Sequence, residues 1–225
     1  MNKRNYQREL DQLLEHTQKE EKVPRLFLHS CCAPCSSYVL EYLSQYFEIT
    51  VFFYNPNISL EEEYRKRVAE IQRLVAEMSF THPVHIMEGT YDPQIFYEMA
   101  RGLERVPEGG ERCFKCYRLR MEEAAKLAKE GNYDYFTTTL SISPLKNAEK
   151  INEIGEALAE IYGVKHLPSD FKKKTVINVL LNCHTTMAFI VRIIVDVFFQ
   201  SVSRKKNETK TNFRGFGYFD FFTGM

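Results

Sequence analysis

The chain carries no excess of either charge: 30 Lys and Arg stand against 30 Asp and Glu among 225 residues. That balance makes non-specific nucleic-acid binding by the whole surface a poor reading, while leaving room for a local basic patch. The first residues, Met1 to Glu21, are polar and charged and lack the apolar stretch of a secretory signal. A cytoplasmic protein is therefore expected. In that setting six cysteines argue for metal or redox chemistry over structural disulfides. Tryptophan is absent as well, which says nothing about function. The length suits one α/β domain with a real core.

Short apolar runs alternate with helical patterns along most of the chain. Arg25 to His29 reads as a strand that runs into Ser30-Cys31-Cys32-Ala33-Pro34-Cys35, where a helix opens (Tyr38, Val39, Tyr42, Leu43, Tyr46). Pro34 suits a first helical turn, where a missing N–H costs nothing. Glu48 to Tyr54 is a second strand, closed by Asn55-Pro56-Asn57, and Ser59 is expected to cap the helix carrying Val68, Ile71, Leu74 and Val75. Pro83 to Met87 is a third strand, and Asp92-Pro93 opens a helix through Leu103. Val106 to Arg112 is a Gly-containing loop ahead of Cys113-Phe114-Lys115-Cys116, which lies at the mouth of a helix that Gly131 ends. Strands at Tyr133 to Thr139 and Val164 to Leu167 flank a last helix. This alternation predicts βαβ units and a mostly parallel sheet, with functional loops at the strand ends. Residues 1–24 are read as a polar leading segment, 25–174 as the α/β domain and 175–225 as a separate tail.

Five of the six cysteines fall into the two clusters Cys31-Cys32-Ala33-Pro34-Cys35 and Cys113-Phe114-Lys115-Cys116. A helix N-terminus offers unpaired N–H groups and a partial positive charge, which favour a thiolate, the metal-binding form. Cys32 and Cys35 are three residues apart and share a helical face, as do Cys113 and Cys116. Four thiolates fit a tetrahedral zinc or an iron–sulfur cluster, and a thiol–disulfide centre is the third reading. A CCxxC at a strand-to-helix switch, where active sites of open α/β sheets sit, favours a catalytic iron–sulfur centre.

Other residues have plainer readings beside the functional ones. Cys183 reads as a small buried hydrophobe. His29, at a strand end, is either a ligand or proton donor or, the more ordinary case, a hydrogen-bonded structural group. Lys146 and Asn147 form either an anion cradle or an ordinary helix cap. Arg65-Lys66-Arg67 and the pair Arg118 and Arg120 read as solvated helix faces.

Several segments together resemble one family. They are Leu28 to Ser37, Phe53 to Ile58, Gly109 to Arg118, Tyr135 to Pro144 and Leu167 to Lys173. The chain is identified as a member of the cobalamin-independent epoxyqueuosine reductases, the QueH family. The resemblance runs from about Arg25 to Lys174. It implies a three-layer α/β/α sandwich similar to the adenine-nucleotide α-hydrolase-like fold. The implied reaction is two-electron reduction of the epoxide of epoxyqueuosine at the wobble position of tRNA, giving queuosine and water. The implied cofactor is a 4Fe–4S cluster held by Cys31, Cys32, Cys113 and Cys116. Cys35, the catalytic candidate, lies beside it as a further thiol or as ligand to an additional iron. The implied partners are a tRNA bearing epoxyqueuosine and an external electron donor. An ATP-dependent tRNA thiolase of similar fold usually shows Ser-Gly-Gly-x-Asp-Ser after its first strand. Ser30 to Ser36 stands there instead, which disfavours that alternative. A zinc-binding adaptor without catalysis is the third reading.

The resemblance stops after Lys172-Lys173-Lys174. The family continues with a Gly-Tyr-Lys-Arg-Ser segment and a late Cys-Gly-Cys, which this chain lacks. Read one base earlier from Thr175, permitted codons yield both motifs, the Cys-Gly-Cys from the codons of Ile194 to Val197. A frameshift near Lys174, natural or from sequencing, is inferred. Its consequence is a missing redox dithiol and impaired turnover. The rival reading of Thr175 to Gln200 as a membrane helix is weakened by Asn178, Asn182, His184, Arg192 and Asp196, which are costly in lipid. No membrane partner is expected.

Overall fold

The computed structural model describes residues 4–173. The tail, with Cys183 and the inferred frameshift, lies outside the described residues. Five strands form one sheet: β1 (Arg25–Ser30), β2 (Glu48–Phe53), β3 (Val84–Glu88), β4 (Tyr135–Thr138) and β5 (Lys165–His166). Their order is β3-β2-β1-β4-β5 and every pairing is parallel. Helices α2 (Ala33–Leu43), α3 (Glu61–Glu77), α4 (Pro93–Ala100), α5 (Glu111–Glu130) and α6 (Ala148–Tyr162) make the crossovers, and a 3₁₀ turn spans Thr139–Ile142.

The pleat sends alternate residues to opposite faces. Leu26, Leu28, Ile49, Val51 and Phe53 pack into one apolar cluster with Leu40 and Leu43 of α2 and Tyr64, Ile71 and Leu74 of α3. Phe27, Phe52 and Phe136 pack into a second, with Met121, Ala124 and Ala125 of α5 and Ile151 and Leu158 of α6. The result is the expected α/β/α sandwich. The small side chains of α5 let that helix lie close to the sheet. At Gly155 helix α6 comes so near β5 that a Cβ would collide with the His166 ring.

Four local expectations are corrected. The polar leading segment contains α1 (Tyr6–Thr17), whose Tyr6, Leu10 and Leu14 are buried at i, i+4, i+8, with Leu10 and Leu14 in the first cluster. Asn5 caps it by accepting from the Arg8 N–H. Ser59 does not cap α3. Leu60 holds that position, and the first turn is compensated by Glu61, Glu62 and Glu63. Helix α4 stops at Ala100, short of Leu103, because Gly102 turns the chain at φ +79°. Helix α5 starts at Glu111, so Cys113 and Cys116 sit inside its first two turns.

The sheet reverses its winding between β1 and β4. Chain order runs outward from β1 to β2 and β3 on one side and to β4 and β5 on the other. The carboxyl ends of β1 and β4 therefore flank a topological switch point, the crevice where open α/β sheets take their ligands.

Candidate metal centre

Both strand ends at this crevice carry polar chemistry. Strand β1 delivers Cys31, and β4 delivers Thr138 and Thr139. The Cys31 N–H donates to Thr139 Oγ1 at 3.1 Å, and the Thr139 hydroxyl donates to Cys31 Sγ at 3.4 Å. Cys32 is the N-cap of α2 in extended conformation (φ −171°, ψ 163°), with Pro34 in the first turn, as the sequence predicts. That backbone turns two adjacent cysteines to the same side, with their sulfurs 3.8 Å apart. Cys35, one turn into α2, completes a group whose sulfurs all lie within 4.8 Å of one another. The loop is pinned from behind: Ser30 and Ser36 hydroxyls meet at 2.7 Å, and Ser36 donates to the Cys32 carbonyl at 2.8 Å.

Three thiols this close share their ionisation unequally. Cys31 is held well below the usual thiol range, chiefly by hydrogen bonds from Cys32 and Cys35, with help from the Lys146 charge and the Thr139 hydroxyl. Cys32 is pushed up to about 12 by donating to Cys31, and Cys35 is raised by donating to the Cys31 and Cys32 sulfurs. The group thus holds one soft anion with two thiols donating to it. A sulfur spacing near 3.8 Å is the edge of a tetrahedron around one ion with metal–sulfur bonds of about 2.3 Å. That spacing is the spacing of a one-ion site, while the donor type, soft sulfur, suits zinc and iron–sulfur chemistry alike.

The second pair sits on α5. Gly109 adopts φ +79°, a conformation that favours glycine, and its N–H donates to Cys113 Sγ at 3.3 Å. Cys113 and Cys31 both pack against the second apolar cluster. Cys116 is buried. The tight group within 4.8 Å contains Cys31, Cys32 and Cys35 and, among the described residues, neither Cys113 nor Cys116. What joins the two clusters is a relay of hydrogen bonds. Arg120 Nε donates to the Cys116 carbonyl at 3.3 Å, Arg120 Nη1 to Asn55 Oδ1 at 3.1 Å, and Asn55 Nδ2 to the Ser30 carbonyl at 2.9 Å.

His29 takes the structural reading. It is fully buried on β1, and Nε2 faces the Tyr54 carbonyl at 3.1 Å while Nδ1 meets Thr138 Oγ1 at 2.8 Å. A carbonyl only accepts, so Nε2 carries the hydrogen and Nδ1 accepts from the Thr138 hydroxyl. That hydroxyl oxygen in turn accepts from the Leu140 N–H at 3.1 Å. Burial, reinforced by the Arg120 charge, holds the His29 pKa down at about 3. Asn147 is an ordinary cap of α6, accepting from the Lys150 N–H at 3.0 Å. Lys146 contributes charge to the cysteine group. Arg118 is a solvated helix residue paired with Glu122. Arg120 is not: it is 4% exposed, because it follows Cys116 by one turn and faces the sheet.

The family model for epoxyqueuosine reductase QueH matches residues 26–190. The chain belongs to this family. The match runs past Lys174, where the sequence resemblance was expected to stop, and leaves out the residues from 191 on. Curated QueH proteins align over 61% to 75% of the chain. The one from Staphylococcus epidermidis is 43% identical over 173 residues, covering 75% of this chain and 73% of its own. The one from Streptococcus pyogenes is 43% identical over 171 residues (75% and 67%), and that from Staphylococcus aureus 41% over 173 residues (75% and 72%). Among solved structures, AtPrR2 in apo form aligns over 64% of this chain and 46% of its own at 18% identity, with a TM-score of 0.30. Among the described residues of this QueH chain, no helix is long and apolar enough to cross a membrane.

Thr139, Asn55 and the inward face of Arg120 are the functional positions that sequence patterns passed over. Two signals were available. Thr138-Thr139 ends a strand at the reversal of the sheet, and Arg120 falls at i+4 from Cys116 and i+7 from Cys113, on the cysteine face of the helix.

Proposed function

We infer that this chain is an oxidoreductase that reduces the epoxide of epoxyqueuosine in tRNA, and that Cys31, Cys32, Cys113 and Cys116 hold a 4Fe–4S cluster for it. The observation that carries this reading is the convergence of the Cys31, Cys32 and Cys35 sulfurs at the switch-point crevice, in a chain of the QueH family; the part given to Cys113 and Cys116 rests on the family resemblance. When bound, the cluster supplies electrons and a Lewis acid for opening the C–O bond.

The protein's own groups have separable roles. Thr139 fixes the Cys31 sulfur from the β4 side. The Ser30–Ser36 pair and Pro34 hold the loop extended, so that Cys31 and Cys32 point together. Cys35 keeps its proton, since its thiol is raised well above the usual range by the neighbouring sulfurs. A protonated thiol beside the crevice is placed to give a proton to the leaving oxygen, or to bind an additional iron once deprotonated. The balance of the reaction is two electrons and two protons in, and one water out. For the tRNA, the surface beside Cys113 offers a cleft of about 480 Å³ lined by the Phe114 ring, by the cations Lys115, Arg118 and Lys150, and by Glu111 and Glu153, which pair with Lys115 and Lys150. A ring suits base stacking, and cations suit phosphates.

The electron donor is external. The given sequence holds only Cys183 beyond Cys116 and has no Cys-Gly-Cys dithiol to recycle the centre. We expect reduction to stall after a single turnover unless a chemical reductant is present. The test is mass spectrometry of tRNA nucleosides after incubation of anaerobically reconstituted protein with epoxyqueuosine tRNA and dithionite. Queuosine should form at the expense of the epoxide. Unchanged epoxide with fully loaded protein overturns the reading.

A further inference from the structure

Arg120 is a nearly buried charge with no counterion among the described residues. It is 4% exposed, yet no carboxylate of the described residues lies within ion-pair distance of it. Its two hydrogen bonds among the described residues go to neutral acceptors, the Cys116 carbonyl and Asn55 Oδ1. Burying a guanidinium in this way is strongly unfavourable unless negative charge arrives close by. A surface arginine of α5 such as Arg118 has its glutamate; the buried one has none among the described residues.

Its position says where that negative charge belongs. Arg120 stands one turn beyond Cys116 on the face shared with Cys113, and through Asn55 it reaches the carbonyl of Ser30, the residue before Cys31. It touches the backbone of both cysteine clusters, directly on one side and through one side chain on the other. Several thiolates gathered on one metal centre carry net negative charge, and two of the four proposed ligands lie on this helix.

We propose that Arg120 is the fixed countercharge of the cysteine centre and the residue that holds helix α5 in register with the end of β1. It acts through the centre and is a positioning residue. The inference rests on the reading of the cysteines as one metal site. A positive charge favours adding an electron to that site and favours the anionic ligand set in either metal form.

The test compares Arg120→Gln, which keeps a donor and removes the charge, with Arg120→Lys, which keeps the charge. Each is reconstituted anaerobically as the full chain, and the midpoint potential is read spectroscopically. Arg120→Gln should lower the equilibrium constant for reduction about tenfold, which is ~59 mV for one electron. Arg120→Lys should stay within about twofold of wild type. Asn55→Asp supplies the missing carboxylate without touching residue 120 and should shift the potential in the same direction as Arg120→Gln. It decides the matter if the Arg120 variants fail to fold. Equal potentials in wild type, Arg120→Gln and Asn55→Asp overturn the proposal, as does a lysine variant shifted as far as the glutamine one. Wild-type protein that takes up zinc but no iron and sulfide would sink the cluster reading alone. Arg120 would then be judged by zinc affinity, expected about tenfold weaker in Arg120→Gln and near wild type in Arg120→Lys; equal affinities overturn it.

Discussion

Three sulfurs within 4.8 Å of one another cannot all be anions without a metal among them. The metal-free group settles this by placing the charge on Cys31, where two thiols, the Thr139 hydroxyl and the Lys146 charge converge. Cys35 is the third member, its thiol raised above the usual range by donating to the other two sulfurs. Cys35→Ser is therefore expected to retain wild-type acid-labile sulfide while epoxide reduction falls by about 10² or more, the scale of a lost proton donor. Activity unchanged in that variant would remove Cys35 from the reaction. Histidine chemistry supplies a second prediction. His29 and His166 are both held neutral down to about pH 3 by burial, and neither His166 nitrogen has a hydrogen-bond partner among the described residues. An unfolded histidine takes its proton near pH 6.5, so below that point the unfolded chain binds protons that the folded one refuses. Stability is present in full above about pH 6.5 and falls as pH drops toward 3, by up to about 1.4 kcal/mol per pH unit for each histidine. His166→Leu should lose less stability between pH 6.5 and 4.5 than wild type, measured by urea unfolding of the metal-free protein. An equal loss would mean that His166 titrates normally in the fold.

At the scale of elements, the strands and the helix around the first cysteine group were legible because period-2 apolar runs ending in turn residues leave few alternatives. Leu26 and Leu28 against Phe27 is such a run, and the structure sends the two sets into different clusters. Helix α1 was not legible by composition. Its burial rests on three residues spaced four apart within a segment otherwise polar, and composition averages that signal away. The same averaging hid Arg120: on α5 most charges face water, and only the register with Cys113 and Cys116 marks one that does not. Cys31 and Cys32 were legible as a special loop, but their shared direction depends on the extended backbone at residue 32, which no spacing rule encodes. Helix α1 is a structural part of the domain. Leu10 is fully buried, so Leu10→Ala should cost about 2–5 kcal/mol and lower Tm by roughly 5–15 °C in calorimetry. A shift under about 2 °C would show that α1 is not docked as described.

At the scale of the whole molecule, one feature of the topology organises the rest. The sheet winds outward in both directions from the β1–β4 seam, so the first cysteine group and Thr139 meet at its open end. Helix α5 crosses back over β1 and carries Cys113 to the apolar cluster that Cys31 also packs against. Two clusters some 80 residues apart in sequence are thereby tied through Arg120 and Asn55. The family supplies the reaction, and the crevice supplies three sulfurs able to bind a metal. The most direct test of the account is iron and acid-labile sulfide content, with the visible spectrum, of wild type and of Cys113→Ser/Cys116→Ser after identical anaerobic reconstitution. The account predicts a brown iron–sulfur chromophore in wild type and its loss in the double variant. A variant that retains wild-type iron, sulfide and absorption would show that the two sulfur groups do not share one centre.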